Sequence, residues 1–141
     1  MPAVFKWNHT VGVADLDGLG HANNISYLKW MQSAALAHSA AQGWPVEAYA
    51  ALGCGWVVRS HFIEYLSPAL LGNTIIVQTW VADLKKVTSL RRYRIVTTRS
   101  DQEQILAKAQ TDWAFVDYRT GTPKRIPPQV LSAFEVASVD E

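Results

Sequence analysis

An α+β domain, with an antiparallel sheet wrapped around one central helix, is predicted by three features of this 141-residue sequence. From Ile25 the spacing Ile25, Leu28, Met31, Ala35 is helical, with alanines at 34, 35, 37, 40 and 41. Four runs rich in β-branched and aromatic residues follow in series, separated only by short turn signals. A loosely alternating run precedes the helix. No repeat, low-complexity stretch or linker interrupts the order, so residues 1–141 read as a single domain. A chain of this length buries roughly two thirds of its unfolded surface.

Residues 4–13 suit a first strand. An Asp/Gly loop follows, and Asn23 or Asn24 is placed to cap the helix by accepting a bond from the next turn. Gly43 fits the C′ position and Pro45 bars extension. So much alanine on more than one face predicts close packing by other elements. A shorter helical piece is expected over Val46–Leu52. Strands are predicted over Trp56–Leu66, Thr74–Leu84, Ser89–Ser100 and Ile105–Asp117, with turns at Gly72-Asn73, Lys85-Lys86 and 100–103. Strands in series with short connections predict an antiparallel meander. Pro123, Pro127 and Pro128 lead into what reads as a short polar tail.

Apolar content of 49% and charged content of 18% are globular values and argue against disorder. The net charge of +1 gives no reason to expect nucleic acid or an anionic membrane as partner. Cys54 is the sole cysteine, which excludes an internal disulfide and a cysteine-based zinc site. It reads as a small buried residue rather than a reactive thiol. The N-terminus lacks a signal-like apolar run and no stretch approaches membrane-spanning length, so a cytoplasmic protein is expected.

The densest chemistry lies in residues 15–24, Asp-Leu-Asp-Gly-Leu-Gly-His-Ala-Asn-Asn. Carboxylates, glycines and amides there feed a helix start, which offers unpaired backbone N–H groups and a partial positive charge. Such a place suits acyl or phosphate chemistry. As a calcium loop it fails: Leu19 occupies the third ligand position and Ser26 stands where a bidentate Glu belongs. The spacing is not the His-x-x-x-His of a helical zinc site either, so no metal is expected.

Three stretches together carry a resemblance. They are Asp15 to Trp30; Val57-Val58-Arg59 with Glu64-Tyr65-Leu66-Ser67-Pro68-Ala69; and Ala107-Lys108-Ala109-Gln110 with Phe115-Val116-Asp117 and Lys124-Arg125-Ile126-Pro127. The chain resembles the 4-hydroxybenzoyl-CoA thioesterase family of the hotdog fold, over most of its length and in the expected order. The resemblance implies hydrolysis of an acyl-CoA thioester to free acid and CoA. CoA is then part of the substrate, and no separate cofactor is implied. It also implies a homodimer whose sheets join edge to edge, often paired again into a homotetramer, with active sites where one subunit's helix start meets its partner. The position seven residues after the catalytic Asp varies in such enzymes and here is Asn24; this version is similar to the branch acting on fatty acyl thioesters.

Thioester hydrolysis needs an activated oxygen nucleophile and donors for the carbonyl oxygen as it gains charge. The leaving thiol has a pKa near about 8.5, judged from cysteine, so strong protonation of it is not essential. Asp17 is the candidate catalyst, as nucleophile forming a mixed anhydride or as general base toward water. Its plain alternative is a turn aspartate that accepts loop N–H bonds. Asp15 reads as scaffold. Backbone N–H groups around Asn23 and Asn24 are the candidate oxyanion donors, a type worth roughly 3–4 kcal/mol each. His21 has two readings: a group that orients Asp17, binds the thioester or acts as base, and a loop histidine fixed by neighbouring carbonyls.

Between Asp83 and Asp101 no acid occurs, while Lys85, Lys86, Arg91, Arg92, Arg94 and Arg99 do. Such a run either protects a sheet edge or binds the phosphates of coenzyme A. In the resembled family this turn lies near the nucleotide end of CoA. Lys85 and Lys86 are the first candidates, and Arg91 and Arg92 the second, since alternation sends those two to opposite faces. Of the six tryptophans, one or two are expected to line an acyl pocket and the rest to pack. The rival to an enzyme is a non-catalytic acyl-thioester-binding or regulatory hotdog module. A hotdog hydratase is disfavoured because the loop lacks that branch's His/Asp arrangement.

Overall fold

The structure, a computed structural model, describes residues 3–139. Strand β1 (Val4–Thr10) leads through a 3₁₀ turn at Val13–Asp15 into helix α1 (Asn24–Ala41) and helix α2 (Val46–Leu52). Strands β2 (Cys54–Tyr65), β3 (Thr74–Leu84), β4 (Thr88–Arg99) and β5 (Gln102–Asp117) follow, then a short helix α3 (Pro128–Leu131). Helix α1 ends as its sequence dictates: Gly43 adopts φ +92°, a conformation that favours glycine, just past the last turn.

The five strands form one antiparallel sheet in the order β1-β3-β4-β5-β2. Only β3, β4 and β5 form a meander; β2 does not pair with β3, contrary to the expectation of a continuous one. The β4–β5 connection is a tight two-residue turn in which Ser100 and Asp101 both have positive φ, as hairpin twist requires. The β2–β3 connection instead runs from Leu66 to Asn73 through Pro68, too long and stiff for a hairpin. It crosses the end of the sheet and holds the start of α1, with Ala22 N–H donating to Ala69 O at 2.9 Å and Ala69 N–H to Tyr27 Oη at 3.1 Å.

Helix α1 lies against the sheet through Tyr27, Trp30, Met31, Ala34 and Ala35, which meet Ile75, Val77, Tyr93, Ile95 and Leu106 in the main core. Burial is confined to that side. Ile25 and Leu36 on the outer face are 59% and 45% exposed, so the alanine-rich helix is not packed on more than one face within one chain. A second core joins Tyr49, Cys54, Val81, Phe115, Ile126, Val130 and Phe134. The chain after Pro127 is therefore not a polar tail. It forms α3, pins Gln42 Nε2 to Ala133 O at 2.9 Å, and bonds back to Val81 through Ala137 N–H at 2.9 Å.

His38 on α1 is 2% exposed, stacked on Phe5 at 5.2 Å and edge-on to Phe134 at 5.8 Å. Burial, reinforced by the Arg91 charge, lowers its pKa from 6.5 to about 4. The unfolded chain then binds a proton at pH values where the folded chain does not, and stability falls as pH drops from about 6.5 toward 4. The loss by the bottom of that window is roughly 3 kcal/mol. Urea unfolding at pH 7 and 4.5 measures it. A His38→Gln variant is expected to lose much less over this window, and an unchanged loss would remove His38 as the cause.

Candidate active site

The loop between the 3₁₀ turn and α1 folds back on itself. Leu16 bridges Ala22, and Asp17 N–H donates to His21 O at 2.8 Å, making a miniature hairpin with Asp17 to Gly20 at its tip. Gly20 takes φ +79°, where a side chain would be strained. Asp15 anchors the base. Its Oδ2 accepts Gly12 N–H at 2.9 Å and lies 2.8 Å from His9 Nε2, while its carbonyl accepts Asn23 N–H at 2.7 Å and Ser26 Oγ at 2.9 Å. Burial opposes charge on Asp15, but the His9 and Gly12 hydrogen bonds and the His9 charge outweigh it and hold the carboxyl below its usual range. His9 itself stacks on Trp7 and tilts against Trp30, each at 5.5 Å.

Asp17 stands exposed above this base. Its Oδ1 accepts two backbone N–H groups, from Leu19 at 2.8 Å and His21 at 3.2 Å. Its Oδ2 accepts none among the described residues. One oxygen thus does what a turn aspartate does, and the other is open to solvent chemistry.

At the helix start three of the four available N–H groups are committed. Asn23 N–H goes to Asp15 O, Ile25 N–H to Asn23 Oδ1 at 2.9 Å, and Ser26 N–H to Asn23 O at 2.9 Å. Asn23 is therefore the cap, and its own N–H is not an oxyanion donor. Asn24 N–H has no acceptor among the described residues. Its side chain is exposed, and its carbonyl receives Tyr65 Oη at a weak 3.4 Å. His21 is exposed too, and it is its main chain, through N–H and C=O, that orients Asp17; its ring makes no hydrogen bond among the described residues.

Lys85 and Lys86 form the exposed β3–β4 turn, closed by Lys85 N–H to Thr88 O at 2.8 Å. Lys86 O accepts Ile126 N–H at 2.9 Å, which brings the exposed Lys124 and Arg125 alongside. Arg91 and Arg92 do part to opposite faces. Arg92 lines a surface depression with Trp80 and Asp83. Arg91 is 6% exposed inside the fold, so its guanidinium does not reach out to a phosphate at the turn. Sequence reading missed this because alternation separates neighbours without saying which one faces inward. Trp56 and Trp113 line a second cavity, apart from the depression that Trp80 lines.

The Lys85-Lys86 turn and the Asp17 loop lie at opposite ends of β3. Gly72 N–H donates to Val11 O and Val11 N–H to Asn73 O, each at 2.9 Å, just before β3 begins, while Lys85 follows its last residue. The eleven residues between span about 36 Å. Among the described residues no group of three or more His, Cys, Asp or Glu is placed to hold a metal ion, and no helix is long and apolar enough to cross a membrane.

A five-stranded antiparallel sheet around one long helix, with a carboxylate loop at the helix start, defines a hotdog domain of the thioesterase kind. Residues 11–134 match the profile of the thioesterase-like superfamily. The acyl-CoA thioester hydrolase YbgC of Escherichia coli is 24% identical over 132 residues, covering 94% of this chain and 96% of that protein. A 4-hydroxybenzoyl-CoA thioesterase variant complexed with 4-hydroxybenzoyl-CoA has a TM-score of 0.86 at 14% identity, covering 94% of this chain and 99% of that one. A 1,4-dihydroxy-2-naphthoyl-CoA thioesterase from Synechocystis has a TM-score of 0.82 at 19% identity, covering 92% and 94%. At these identities the solved structures speak for the fold. The chain belongs to the thioesterase-like superfamily.

Proposed function

We propose that this protein hydrolyses acyl-CoA thioesters to free acid and CoA, with Asp17 as the reacting carboxylate. The observation that carries the reading is the division of labour within Asp17. Oδ1 is pinned by two backbone N–H groups and Oδ2 is open, on the same loop that leaves Asn24 N–H without an acceptor. Oδ2 either attacks the thioester carbon, giving a mixed anhydride that water then hydrolyses to the free acid and the Asp17 carboxylate, or takes a proton from water that attacks that carbon. In both, Asn24 N–H stabilises the carbonyl oxygen as it gains charge, and the CoA thiolate departs. The names of the E. coli relative and of the structural neighbours support the substrate class.

CoA enters as substrate, held by its phosphates at Lys85 and Lys86 with Lys124 and Arg125 beside them; no separate cofactor is part of the reading. The separation of that turn from the Asp17 loop exceeds the pantetheine arm, which supports a site shared between copies. Strand β2 supplies the joining edge, since it pairs on one side only and exposes Val57, Val58, Phe62 and Tyr65. A cytoplasmic homodimer or homotetramer fits these features.

The test is free-thiol release from a panel of aryl and fatty acyl-CoAs. No release from any of them would leave the non-catalytic binding module as the better reading. For the clamp, the double variant Lys85→Ala, Lys86→Ala is expected to raise KM for CoA esters about tenfold and to spare pantetheine esters. Equal losses on both substrates would remove phosphate binding from these lysines.

A further inference from the structure

Arg91 is a buried cation with no anionic partner among the described residues. Among the described residues the ion pairs are His9–Asp15 and Arg59–Asp112, and neither involves it. Its Nη1 meets His38 Nδ1 at 2.9 Å and Thr79 Oγ1 at 3.1 Å. Thr79 is neutral and His38 is kept neutral by burial, so the group retains one full positive charge. A guanidinium does not shed its proton to escape this position. Leaving a charge in the interior without a partner is costly, and buried charges are ordinarily paired.

Arg91 also forms part of the wall of a cavity of about 110 Å³ between the second half of α1, α2 and the sheet. Most of that wall is apolar, with Trp56, Trp113, Val81, Leu84 and Phe134. Of the other polar groups on the wall, Ser39 Oγ donates to Trp44 O at 2.7 Å and Ser89 Oγ to Asp83 O at 2.8 Å, whereas the buried Trp113 Nε1 has no acceptor among the described residues. The Nε and Nη2 of Arg91 donate to no acceptor among the described residues. Exposed Leu36, Val46 and Tyr118 lie on the same lining, so the cavity has an outer side. Ala35, Leu36 and Ser39 stand 11 to 15 residues beyond Asn24, about 16–22 Å along α1, so the cavity is separate from the Asp17 loop of its own chain.

We propose that this cavity binds a carboxylate carried on an apolar body, the carboxylate pairing with the free edge of the Arg91 guanidinium and the body lying among Trp56, Trp113 and Phe134. A carboxylate accepts two parallel N–H bonds from such an edge, and an apolar cavity of this order holds a single ring or a short chain. The carboxylate comes from one of two sources: a free hydrophobic acid, or the far end of an acyl group still attached to CoA. The second source rests on the thioesterase reading; the first stands without it.

Titration of tryptophan fluorescence with phenylacetate and with octanoate, against 2-phenylethanol and octan-1-ol, tests the site. Each acid is expected to bind at least tenfold more tightly than its alcohol. Arg91→Met is expected to fold, with a melting temperature at or above that of the parent because an unpaired charge has been removed, and to abolish the preference. Arg91→Lys, which keeps the charge, is expected to keep part of it. Equal binding of acid and alcohol, or no binding of either at millimolar concentration, overturns the proposal. The kinetic arm compares suberyl-CoA with octanoyl-CoA. A tenfold advantage for suberyl-CoA that disappears in Arg91→Met assigns the acyl tail as the source. Equal kcat/KM for the two esters, with acid-selective binding intact, assigns the free acid. Absence of turnover on both leaves the fluorescence comparison to decide the site and counts only against the thioesterase reading.

Discussion

Replacing Asp17 by Asn is expected to lower thiol release from every accepted acyl-CoA by a factor of about one hundred or more, while the fold stays intact. The size follows from what positioned general bases and nucleophiles contribute, typically 10²–10⁴-fold. The selectivity follows from geometry. An Asn oxygen accepts the Leu19 and His21 N–H groups as Oδ1 of Asp17 does at 2.8 and 3.2 Å, so the hairpin loop survives. What disappears is the charged second oxygen, replaced by an amide that neither attacks a thioester nor takes a proton from water. Asp15→Asn makes the contrast. That carboxylate holds Gly12 and His9 and is not open, so its loss is expected in urea stability first and in turnover only through the loop. Turnover of Asp17→Asn within about threefold of the parent would end the proposed role of Asp17, since it falls far short of a positioned base.

The elements whose boundaries were legible are those with punctuation at both ends. Helix α2 and strand β3 fall where read, because Pro45, Gly53, Gly72 and the Lys85-Lys86 turn bound them. What periodicity lacks is pairing information. Nothing in the pattern of β2 tells that it leaves β3 for the far side of β5; only the length and stiffness of the Leu66–Asn73 connection hint at it. The apparent tail carried a usable signal in Ile126, Val130 and Phe134, four residues apart and all buried. In the loop, the exposed carboxylate of Asp17 and the anchoring one of Asp15 were separable from sequence, but the uncommitted N–H was not. Asn23 and Asn24 look alike in the chain, and what spends the Asn23 N–H is the carbonyl of Asp15, eight positions away across a folded loop. Arg91 was misplaced for a related reason: a basic run reads as surface until the sheet's inward face is known.

Truncating Met31 to Ala tests the packing that sets the site in place. Met31 is fully buried at the centre of the α1 face, between Trp30 and Ala34–Ala35 and against the sheet core of Ile75, Val77, Tyr93 and Ile95. Removing such a side chain costs its transfer free energy and leaves a cavity, so a loss of about 3 kcal/mol is expected. In a domain of this size that lowers Tm by roughly 10 °C. Urea midpoints at fixed protein concentration, with an unchanged m value, measure it. Leu36→Ala, on the 45% exposed face of the same helix, is expected to cost less than about 0.5 kcal/mol within one chain; a larger loss there would report a partner covering that face. Helix α1 has packed partners on one side only, so the penalty for Met31 cannot be shared with a second layer. The start of α1 is tied separately, by Ser26 Oγ to Asp15 O and by Ala69 N–H to Tyr27 Oη. Folded Met31→Ala is therefore expected to keep its turnover per active site while losing stability. A loss below about 1 kcal/mol would mean that α1 is held by something other than this face.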